Sequence, residues 1–523
     1  MKTFKRTTAS IMAAIVAVIA FAFAGSASFA APVKTYAAGV SRVETYIGDH
    51  TEVKEFNSAY SAWVEAKTQS NAGNAPTLIL GENWEHDEQL TIETNRTLTV
   101  DLNGYYIKRT RDRDRIRNGS VFLVKKGASL TVMDSRPDVM GYDGVKGGVI
   151  TGGASGNGAG GVHIEEGGHV YWQGGTLYSC ITDQDGGGFY LEGSSENTTL
   201  SMTGGRIYAC QTIESADRCF GGAIYVECGT VNISNAEIDS CYSEDSGGAF
   251  YINDGKFNVY DTLLAANQAI NHGGAVYLEG DALIYFRNCI FAGNKAHEEG
   301  GAVYIDNNPV DDMATIFDGC VFRNNTAGKR GGAIFIDDDN VALINVTIEN
   351  NTAKEGGGGV WVDSQSDITF KGKCIVRNNT CTDNSDFRNV TLERYGAAKA
   401  YVWSAGLTAG SYIGINSDAS ADDIKISPEM SKYQLQYFHA DAGQLVMRDA
   451  HEEDAPMVVT ASLFGNGIWW VAAVIGGVGV AAAVFVIIYR KKKLAKAAAT
   501  VATQRAAPGE TAEQVQSTDE EDE

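Results

Sequence analysis

The segment from Asn267 to Ile305 reads NQAINHGGAVYLEGDALIYFRNCIFAGNKAHEEGGAVYI, and most of the chain repeats it. Two copies of Gly-Gly-Ala-Val-Tyr begin at Gly273 and Gly300, 27 residues apart, and each begins six residues after an asparagine. Glycine doublets of this kind recur at intervals of 26 to 35 residues, with their first glycines at Gly186, Gly221, Gly247, Gly273, Gly300, Gly331 and Gly357. A repeat of this length, made of short apolar runs and glycine turns, is typical of a solenoid.

The residues after each doublet alternate in character, as expected for a strand with one buried face. The residues three and five places after the first glycine, which we call the third and fifth positions, are large and apolar. We predict that they fill a core, in which burial of each side chain contributes roughly 1.5–3 kcal/mol. The third position holds Phe189, Ile224, Phe250, Val276, Val303, Ile334 and Val360, and the fifth holds Leu191, Val226, Ile252, Leu278, Ile305, Ile336 and Val362. The second position is always Ala or Gly, and we expect it on the outer face.

The fourth position is aromatic in every copy, and the same alternation predicts that these rings point outward. They are Tyr190, Tyr225, Tyr251, Tyr277, Tyr304, Phe335 and Trp361. Stacked rings can simply stabilise one another, by roughly 0.2–1 kcal/mol per pair. An exposed apolar strip can alternatively bind sugar rings or another protein. Both interpretations stay open here, and the seven rings are the predicted binding surface.

Another column precedes the doublets and changes from cysteine to asparagine along the chain. It begins with Cys180, Cys210 and Cys241 and continues with Asn267, Asn294, Asn325, Asn351 and Asn379. Coils stacked about 4.8 Å apart would let identical amides hydrogen-bond along the stack. A buried amide without a partner would cost about 1–3 kcal/mol, so a lone copy would be unfavourable. The column therefore predicts a structural asparagine ladder in a parallel β-helix.

These motifs also resemble a known repeat. Gly-Gly-Ala-Ile/Val combined with Phe-x-x-Asn, as from Phe291 to Asn294 and from Phe322 to Asn325, is similar to the repeats of the polymorphic outer membrane protein family. More broadly, residues 76–395 resemble pectin-lyase-like right-handed β-helices and adhesin-like bacterial surface proteins. The resemblance implies an all-β, right-handed parallel β-helix. It leaves function open, because lyases, hydrolases and non-catalytic adhesins share this fold.

Both ends of the chain carry membrane-targeting patterns. A basic N-terminus precedes an apolar run from Ile11 to Ala24, which is typical of a cleaved signal peptide. The uncharged run from Ile468 to Tyr489 is long enough to span a bilayer core of about 30 Å, and the basic residues that follow it mark the cytoplasmic side. The predicted organisation is a signal peptide (1–30), an N-terminal capping region with a short helix (31–75), the β-helix (76–395), a small β cap and juxtamembrane stalk (396–466), a transmembrane α-helix (467–489) and a disordered cytoplasmic tail (490–523).

Composition narrows the class of partner. A net charge of −23 argues against nucleic acid and against polyanionic wall polymers. All nine cysteines lie between Cys180 and Cys381, and most stand in inward columns suited to small buried thiols. We expect free thiols, with Cys219 and Cys228 as the best disulfide candidates.

Candidate chemical residues are few. The sixth position after the first glycine is acidic in all but one copy, at Glu192, Glu227, Glu279, Asp306, Asp337 and Asp363. We favour solvated turn residues, with calcium along Glu279, Asp306, Asp337 and Asp363 as the alternative. Asp311 and Asp312 are an irregular carboxylate pair with Lys329 and Arg330 nearby in sequence, too weak a pattern to name a catalyst. His163 and His169 flank a glycine turn, and we predict no metal site there.

The sequence therefore favours a single-pass membrane protein whose extracellular β-helix binds a glycan or a protein of a host or neighbouring cell, without catalysis or a cofactor. A polysaccharide lyase or glycoside hydrolase is the first alternative, and a passive surface spacer is the second. The C-terminal helix would contact the membrane, with the N-terminal part outside the cell and the C-terminus in the cytoplasm.

Overall fold

A computed structural model describes residues 39–460, except 48, 111–118, 214–218, 308–314, 338, 365, 384–387, 396–397, 400, 418–423, 427–433, 442–443 and 450–455. One coil shows the plan of the fold. Its four strands are Phe250–Ile252, Lys256–Tyr260, Leu263–Ala265 and Gln268–Ala269. Each strand pairs in parallel with its counterpart in the next coil, so the coils stack into a β-helix. We call the four stacks the doublet sheet, the second sheet, the third sheet and the fourth sheet, in that order.

The doublet sheet contains the strands that follow the glycine doublets and their counterparts in the coils nearer each end. It comprises Leu90–Ile92, Phe122–Val124, Val162–Ile164, Phe189–Leu191, Ile224–Val226, Phe250–Ile252, Val276–Gly280, Val303–Asn307, Ile334–Ile336, Val360–Val362 and Val390–Leu392. The fourth sheet is the narrowest, with two-residue strands at Ala154–Ser155, Ile181–Thr182, Gln211–Thr212, Tyr242–Ser243, Gln268–Ala269, Lys295–Ala296, Thr326–Ala327, Thr352–Ala353 and Thr380–Cys381.

The second and third sheets are longer because they continue towards both ends of the stack. The second sheet contains Thr77–Ile79, Thr97–Asp101, Ser129–Met133, His169–Trp172, Thr199–Met202, Thr230–Ser234, Lys256–Tyr260, Leu283–Arg287, Thr315–Asp318, Asn340–Ile344, Asp367–Gly372, Tyr401–Leu407, Ile424–Ile426 and Gln444–Asp449. The third sheet contains Trp84–His86, Tyr106–Arg109, Val149–Thr151, Thr176–Tyr178, Arg206–Tyr208, Glu237–Asp239, Leu263–Ala265, Ile290–Ala292, Val321–Arg323, Thr347–Glu349, Ile375–Arg377, Tyr412–Ser417 and Phe438–Ala440.

The glycine doublets are required by backbone conformation and by the closeness of the next coil. Gly273 has a φ of +61°, a region that side-chain-bearing residues rarely adopt. Gly274 has no such torsion, but a Cβ there would lie 2.2 Å from the carbonyl oxygen of Gly301 in the next coil. The first glycine therefore makes the turn, and the second lets adjacent coils approach.

The predicted core columns form the interior of the helix. The third-position and fifth-position side chains are each at most 1 % exposed. The second-position alanines, expected outside, are also buried in this core, as at Ala249 and Ala275. The reason is that the strand begins only at the third position, and the N–H groups of both Ala249 and Phe250 donate to the same Ala275 carbonyl. Strand alternation therefore does not extend back into the turn.

The asparagine column forms a continuous hydrogen-bonded ladder between the third and fourth sheets. Asn267 Nδ2 donates to Asn294 Oδ1 at 3.1 Å, and the bonds from Asn294 to Asn325 and onward to Asn351 and Asn379 are 3.0, 2.9 and 2.9 Å. Each of these amides also donates to a backbone carbonyl of the preceding coil. The ladder continues through Asn389, which the predicted column does not include, and ends on the Asp441 carboxylate.

The nine cysteines are all buried free thiols. Cys219 and Cys228, the best disulfide candidates from sequence, are not joined, and the Cys219 thiol lies against the backbone carbonyls of Asp183 and Ile213.

An α-helix covers the N-terminal end of the described coils. Helix α1, Ala59–Asn71, begins at the N-cap Ser58, whose hydroxyl accepts from the Ser61 N–H. Trp63 on α1 packs against Trp84 and Phe122, at ring-centroid distances of 6.0 and 6.4 Å. An antiparallel hairpin, Ser41–Ile47 and His50–Phe56, precedes the helix and pairs with Thr77–Ile79 of the second sheet.

Towards the C-terminus the parallel stacks extend beyond the predicted β-helix boundary at residue 395. Tyr401–Leu407 pairs in parallel with Asp367–Gly372, and Tyr412–Ser417 pairs with Ile375–Arg377 and then with Val390–Leu392. The glycine doublets end earlier, so their period could not mark these coils. The remaining described elements are the antiparallel pair Arg394–Tyr395 and Ala398–Lys399, the strand Pro456–Thr460 and the 3₁₀ turns Tyr142–Gly144 and Leu435–Tyr437.

Within the described part of the chain, no helix is long and apolar enough to cross a membrane. The predicted signal peptide, the predicted span from Ile468 to Tyr489 and the predicted tail lie outside that part.

Candidate functional site

The aromatic residues after the doublets form a stacked ladder on the outer face of the doublet sheet. Successive ring centroids from Tyr190 to Phe335 are 5.3, 5.4, 4.9, 5.0 and 5.0 Å apart, with interplanar angles of at most 20°. Trp361 follows in register beside Phe335. We call these seven residues the aromatic ladder.

Residues immediately before the glycine doublets fold back over this ladder. We call them the pre-glycine column: Asp185, Phe220, Ser246, His272, Glu299, Arg330 and Gly356. Phe220 packs on Tyr251 at 4.3 Å and His272 on Tyr304 at 4.7 Å, both between ring centroids. The Arg330 guanidinium lies 5.2 and 5.0 Å from the rings of Phe335 and Trp361.

This cover changes the predicted binding surface. Tyr251, Tyr304, Phe335 and Trp361 are 3–9 % exposed, so the expectation of an open aromatic ridge is wrong for these four rings. Tyr190, Tyr225 and Tyr277 are half-buried and remain accessible. The binding role of the ladder stays a prediction, which these three residues can test.

The smallest residue of the pre-glycine column, Gly356, faces the largest ring of the aromatic ladder, Trp361. Trp361 fills the space below Gly356, and a Cβ on Gly356 would lie 2.4 Å from Trp361 Cζ3. Gly356, the first of the four consecutive glycines at 356–359, is therefore explained by the tryptophan that it faces rather than by a turn.

The predicted acidic column is tied to the aromatic column of the preceding coil. The Tyr304 hydroxyl donates to Asp337 at 2.6 Å, and the Tyr251 hydroxyl donates to Glu279. His163, in the column position of the tyrosines, is bonded to Glu192 at 2.9 Å in the same register. The acids thus act as coil-to-coil hydrogen-bond acceptors, and calcium along this column stays a prediction.

Burial on this face favours the uncharged forms of its tyrosines and of Asp185. Burial raises the pKa of each tyrosine in the ladder, and the bonded carboxylates raise the pKa of Tyr251 and Tyr304 further. Burial also raises the pKa of Asp185 to about 6, with nearby Glu227 and Asp245 adding to the effect. The Phe220 N–H donates to Asp185 Oδ1 at 2.8 Å.

A compact charged cluster surrounds His272 on the pre-glycine column. Glu298 and Glu299 approach it from the next coil, and Lys329 and Arg330 approach from the coil after that. Burial opposes ionisation of Glu299, but nearby His272, Arg330 and Lys329 hold the pKa of this carboxyl below its usual value. Sequence reasoning noticed Lys329 and Arg330 but missed the cluster. Aligning the residues one and two places before each doublet would have found it.

Other predicted candidates are not brought together. His169 Nδ1 lies 2.9 Å from the Thr199 hydroxyl while His163 bonds to Glu192, so each histidine is engaged with the next coil. Asp311 and Asp312 lie outside the described residues.

The third sheet carries a second row of aromatic residues, which sequence reasoning missed. Tyr106, Tyr142, Tyr178 and Tyr208 follow one another at centroid distances of 4.9, 6.1 and 5.4 Å. Tyr142 comes from a 3₁₀ turn rather than a strand, so no sequence period connects the four residues.

Comparison with known proteins agrees with the architecture. A family model described as a right handed beta helix region matches residues 258–409. No curated protein and no solved structure matches the chain. The chain is therefore similar to right-handed parallel β-helices, the fold of pectin-lyase-like proteins.

Proposed function

We propose that this protein is an extracellular, membrane-anchored β-helix that binds a glycan or a protein of a neighbouring cell without converting it chemically. The predicted signal peptide and C-terminal span would place the coils outside the cell. The aromatic ladder and the acids beside it supply the binding face.

One observation carries this proposal: the chemistry-bearing side chains repeat from coil to coil in the same hydrogen-bonded arrangement. The bonds from His163 to Glu192, from Tyr251 to Glu279 and from Tyr304 to Asp337 all join one coil to the next. A catalytic centre needs a local departure from the repeat, whereas a linear ligand is suited to a repeated face.

The chemistry of this face indicates the class of ligand. Half-buried rings at Tyr190, Tyr225 and Tyr277 offer surfaces for sugar rings or apolar side chains, and the adjacent carboxylates accept hydrogen bonds. Because the whole chain carries a net charge of −23, neutral or amino-bearing ligands are favoured over acidic polysaccharides.

Binding of the full chain to a glycan array and to proteins of neighbouring cells tests the proposal. Tyr190→Leu with Tyr225→Leu removes two half-buried rings while keeping apolar bulk, and we expect binding to weaken at least about 10-fold, equivalent to about 1.4 kcal/mol. Tyr251→Ala is unsuitable, because Tyr251 is buried and its removal would damage the coil.

The third sheet supplies the matched control. Tyr178→Leu with Tyr208→Leu removes two rings stacked 5.4 Å apart on a different face, and binding should be unchanged. Equal loss from both pairs would contradict a binding role for the aromatic ladder. No binding and no turnover would leave the passive spacer as the better account.

One observation favours an enzyme as the second candidate. Asp185 combines a pKa raised to about 6 by burial with a second carboxylate nearby, that of Glu227, and a pair of carboxyl groups is what glycoside hydrolysis requires. A hydrolase or lyase would release new reducing ends or unsaturated products from polysaccharides. Loss of that activity in Asp185→Asn would establish this alternative.

A further inference from the structure

We propose that His272, Glu298 and Glu299 form a binding site for a divalent transition-metal ion of the Zn²⁺ class, which links two adjacent coils. One ligand atom from each residue lies within 4.8 Å of the other two. The site rests on the cluster around His272 alone and does not depend on glycan or protein binding.

The two carboxylates are arranged as metal ligands with a supporting outer shell. Lys329 Nζ lies 2.9 Å from Glu298 Oε1, and Arg330 lies 3.3 Å from Glu299 Oε1. The other oxygen of each glutamate faces His272: Glu298 Oε2 lies 3.6 Å from Nε2, and Glu299 Oε2 lies 3.1 Å from Nδ1. Because an imidazole offers one nitrogen to one ion, the ion would take Nδ1 beside Glu299, and the Glu298 side chain would turn towards it. In metal sites the carboxylate ligands are commonly held by hydrogen bonds from an outer shell of residues. Lys329 and Arg330 would play that part here, because each contacts one carboxylate oxygen and leaves the other facing His272.

The histidine supplies an independent indication. Its Nδ1 is buried and has no hydrogen-bond partner among the described residues, although Glu299 Oε2 lies 3.1 Å away. The 3.1 Å between Nδ1 and Glu299 Oε2 is close to the roughly 3.3 Å expected between two ligands bound at about 2.0–2.1 Å around a tetrahedral ion. A metal ion would bind both atoms at once.

The donor set selects the class of ion. Imidazole nitrogen with two carboxylates suits zinc and related transition ions, whereas calcium prefers six to eight oxygens. Glu299 is 7 % exposed in its side chain and packs deep in the column, while Glu298 lies nearer the surface. The buried carboxylate would fix the ion, and the outer one would close over it together with water.

Metal titration of the untagged full chain in its folded state tests the site. Zn²⁺ affinity, measured by competition with a chromophoric chelator, should show one strong site that His272→Phe weakens at least about 100-fold, since loss of outer-shell partners alone costs 10–100-fold. Phenylalanine is a matched replacement because Phe220 occupies the same column position over Tyr251. Glu298→Gln is a second variant at the half-buried rim, and we expect it to weaken binding at least about 10-fold.

Two neighbouring residues provide controls. His297 and Glu355 are exposed and stand next to the site or in the equivalent position of a later coil. His297→Ala and Glu355→Gln should leave the affinity unchanged. Losses equal to those of His272→Phe would overturn the assignment, as would unchanged affinity in both His272→Phe and Glu298→Gln.

Cobalt distinguishes this site from the buried thiols. Co²⁺ bound by nitrogen and oxygen should show visible d–d absorption without a thiolate charge-transfer band in the near ultraviolet. A strong thiolate band would place the metal on cysteine and contradict the proposal. Displacement by Ca²⁺ at comparable concentration would contradict the assigned class of ion.

Discussion

The asparagine ladder and the aromatic ladder are both columns of like residues, but they are satisfied in different ways. The asparagines hydrogen-bond to one another and to backbone carbonyls, so the column completes itself inside the wall of the helix. The aromatic ladder stacks on itself but is also covered by the unlike residues of the pre-glycine column. An interior column can therefore be inferred from its own repeat, whereas an exterior column depends on loops that do not repeat.

The largest effect should come from breaking the self-contained column. Asn325→Leu removes an acceptor from Asn294 and a donor from Asn351, and it removes the side-chain donor to the Phe291 carbonyl. Several buried polar groups at about 1–3 kcal/mol each predict a loss of about 3–5 kcal/mol in the free energy of unfolding. Urea denaturation measures this loss in the free energy of unfolding. Hydrogen exchange is measured as well, because solenoids need not unfold in one step.

The position of the substitution supplies the control. Asn267 is the first amide of the ladder, and its upstream neighbour is Cys241, which donates to Asn267 Oδ1 only through its backbone N–H, at 3.0 Å. The Asn267 amide donates onward to Asn294. Asn267→Cys extends the existing cysteine column and should cost clearly less than Asn325→Leu. Equal losses at the two positions would show that the ladder is not cooperative along its length.

The second prediction concerns a titratable group, Asp185, on the pre-glycine column that covers the aromatic ladder. Asp185 on the pre-glycine column has its pKa raised by burial to about 6, above its usual value of 3.8. A raised carboxyl pKa favours folding when the group is protonated, so this contribution is complete below about pH 4 and is lost as the pH rises through about 6. The shift corresponds to at most about 3 kcal/mol.

Asp185→Asn should therefore remove part of the fall in stability between pH 4 and pH 6. Asp441 at the end of the asparagine ladder also has a pKa raised to about 6 by burial, so the wild-type curve reports both groups. The difference between wild type and variant isolates Asp185. Parallel curves for the two proteins across this range would refute the prediction.

The third prediction tests the match between cover and ring. Gly356→Ala places a Cβ 2.4 Å from Trp361 Cζ3, and such overpacking typically costs about 1–3 kcal/mol. The double variant with Trp361→Tyr restores the ring size found elsewhere in the ladder and should recover most of the loss. Thermal unfolding of both variants measures the coupling. No recovery in the double variant would mean that Gly356 is needed for its backbone alone.

The contrast also explains how much could be predicted from sequence. The doublets, the apolar columns and the asparagines repeat because each coil imposes the same backbone and the same interior on its neighbours. The pre-glycine column contains Asp185, Phe220 and His272 at equivalent places, so no common residue type marks it. The covered state of the outer rings and the charged cluster at His272 could be recognised only once neighbouring coils were placed together.

The smallest effect should come from a single bond across the outer face. Tyr304→Phe removes the hydroxyl that donates to Asp337 at 2.6 Å but keeps the ring in its stack, as Phe335 does naturally in the next coil. A net loss of about 1 kcal/mol is expected, because the carboxylate is only half-buried and water can replace part of the bond. Asp337→Asn combined with Tyr304→Phe completes a double-mutant cycle, in which the pair should show a coupling energy while either change with Asn325→Leu should be nearly additive. Additivity within the Tyr304–Asp337 pair would mean that the acids of this face do not hold the coils together, and the acidic column would then be open to ligands along its whole length.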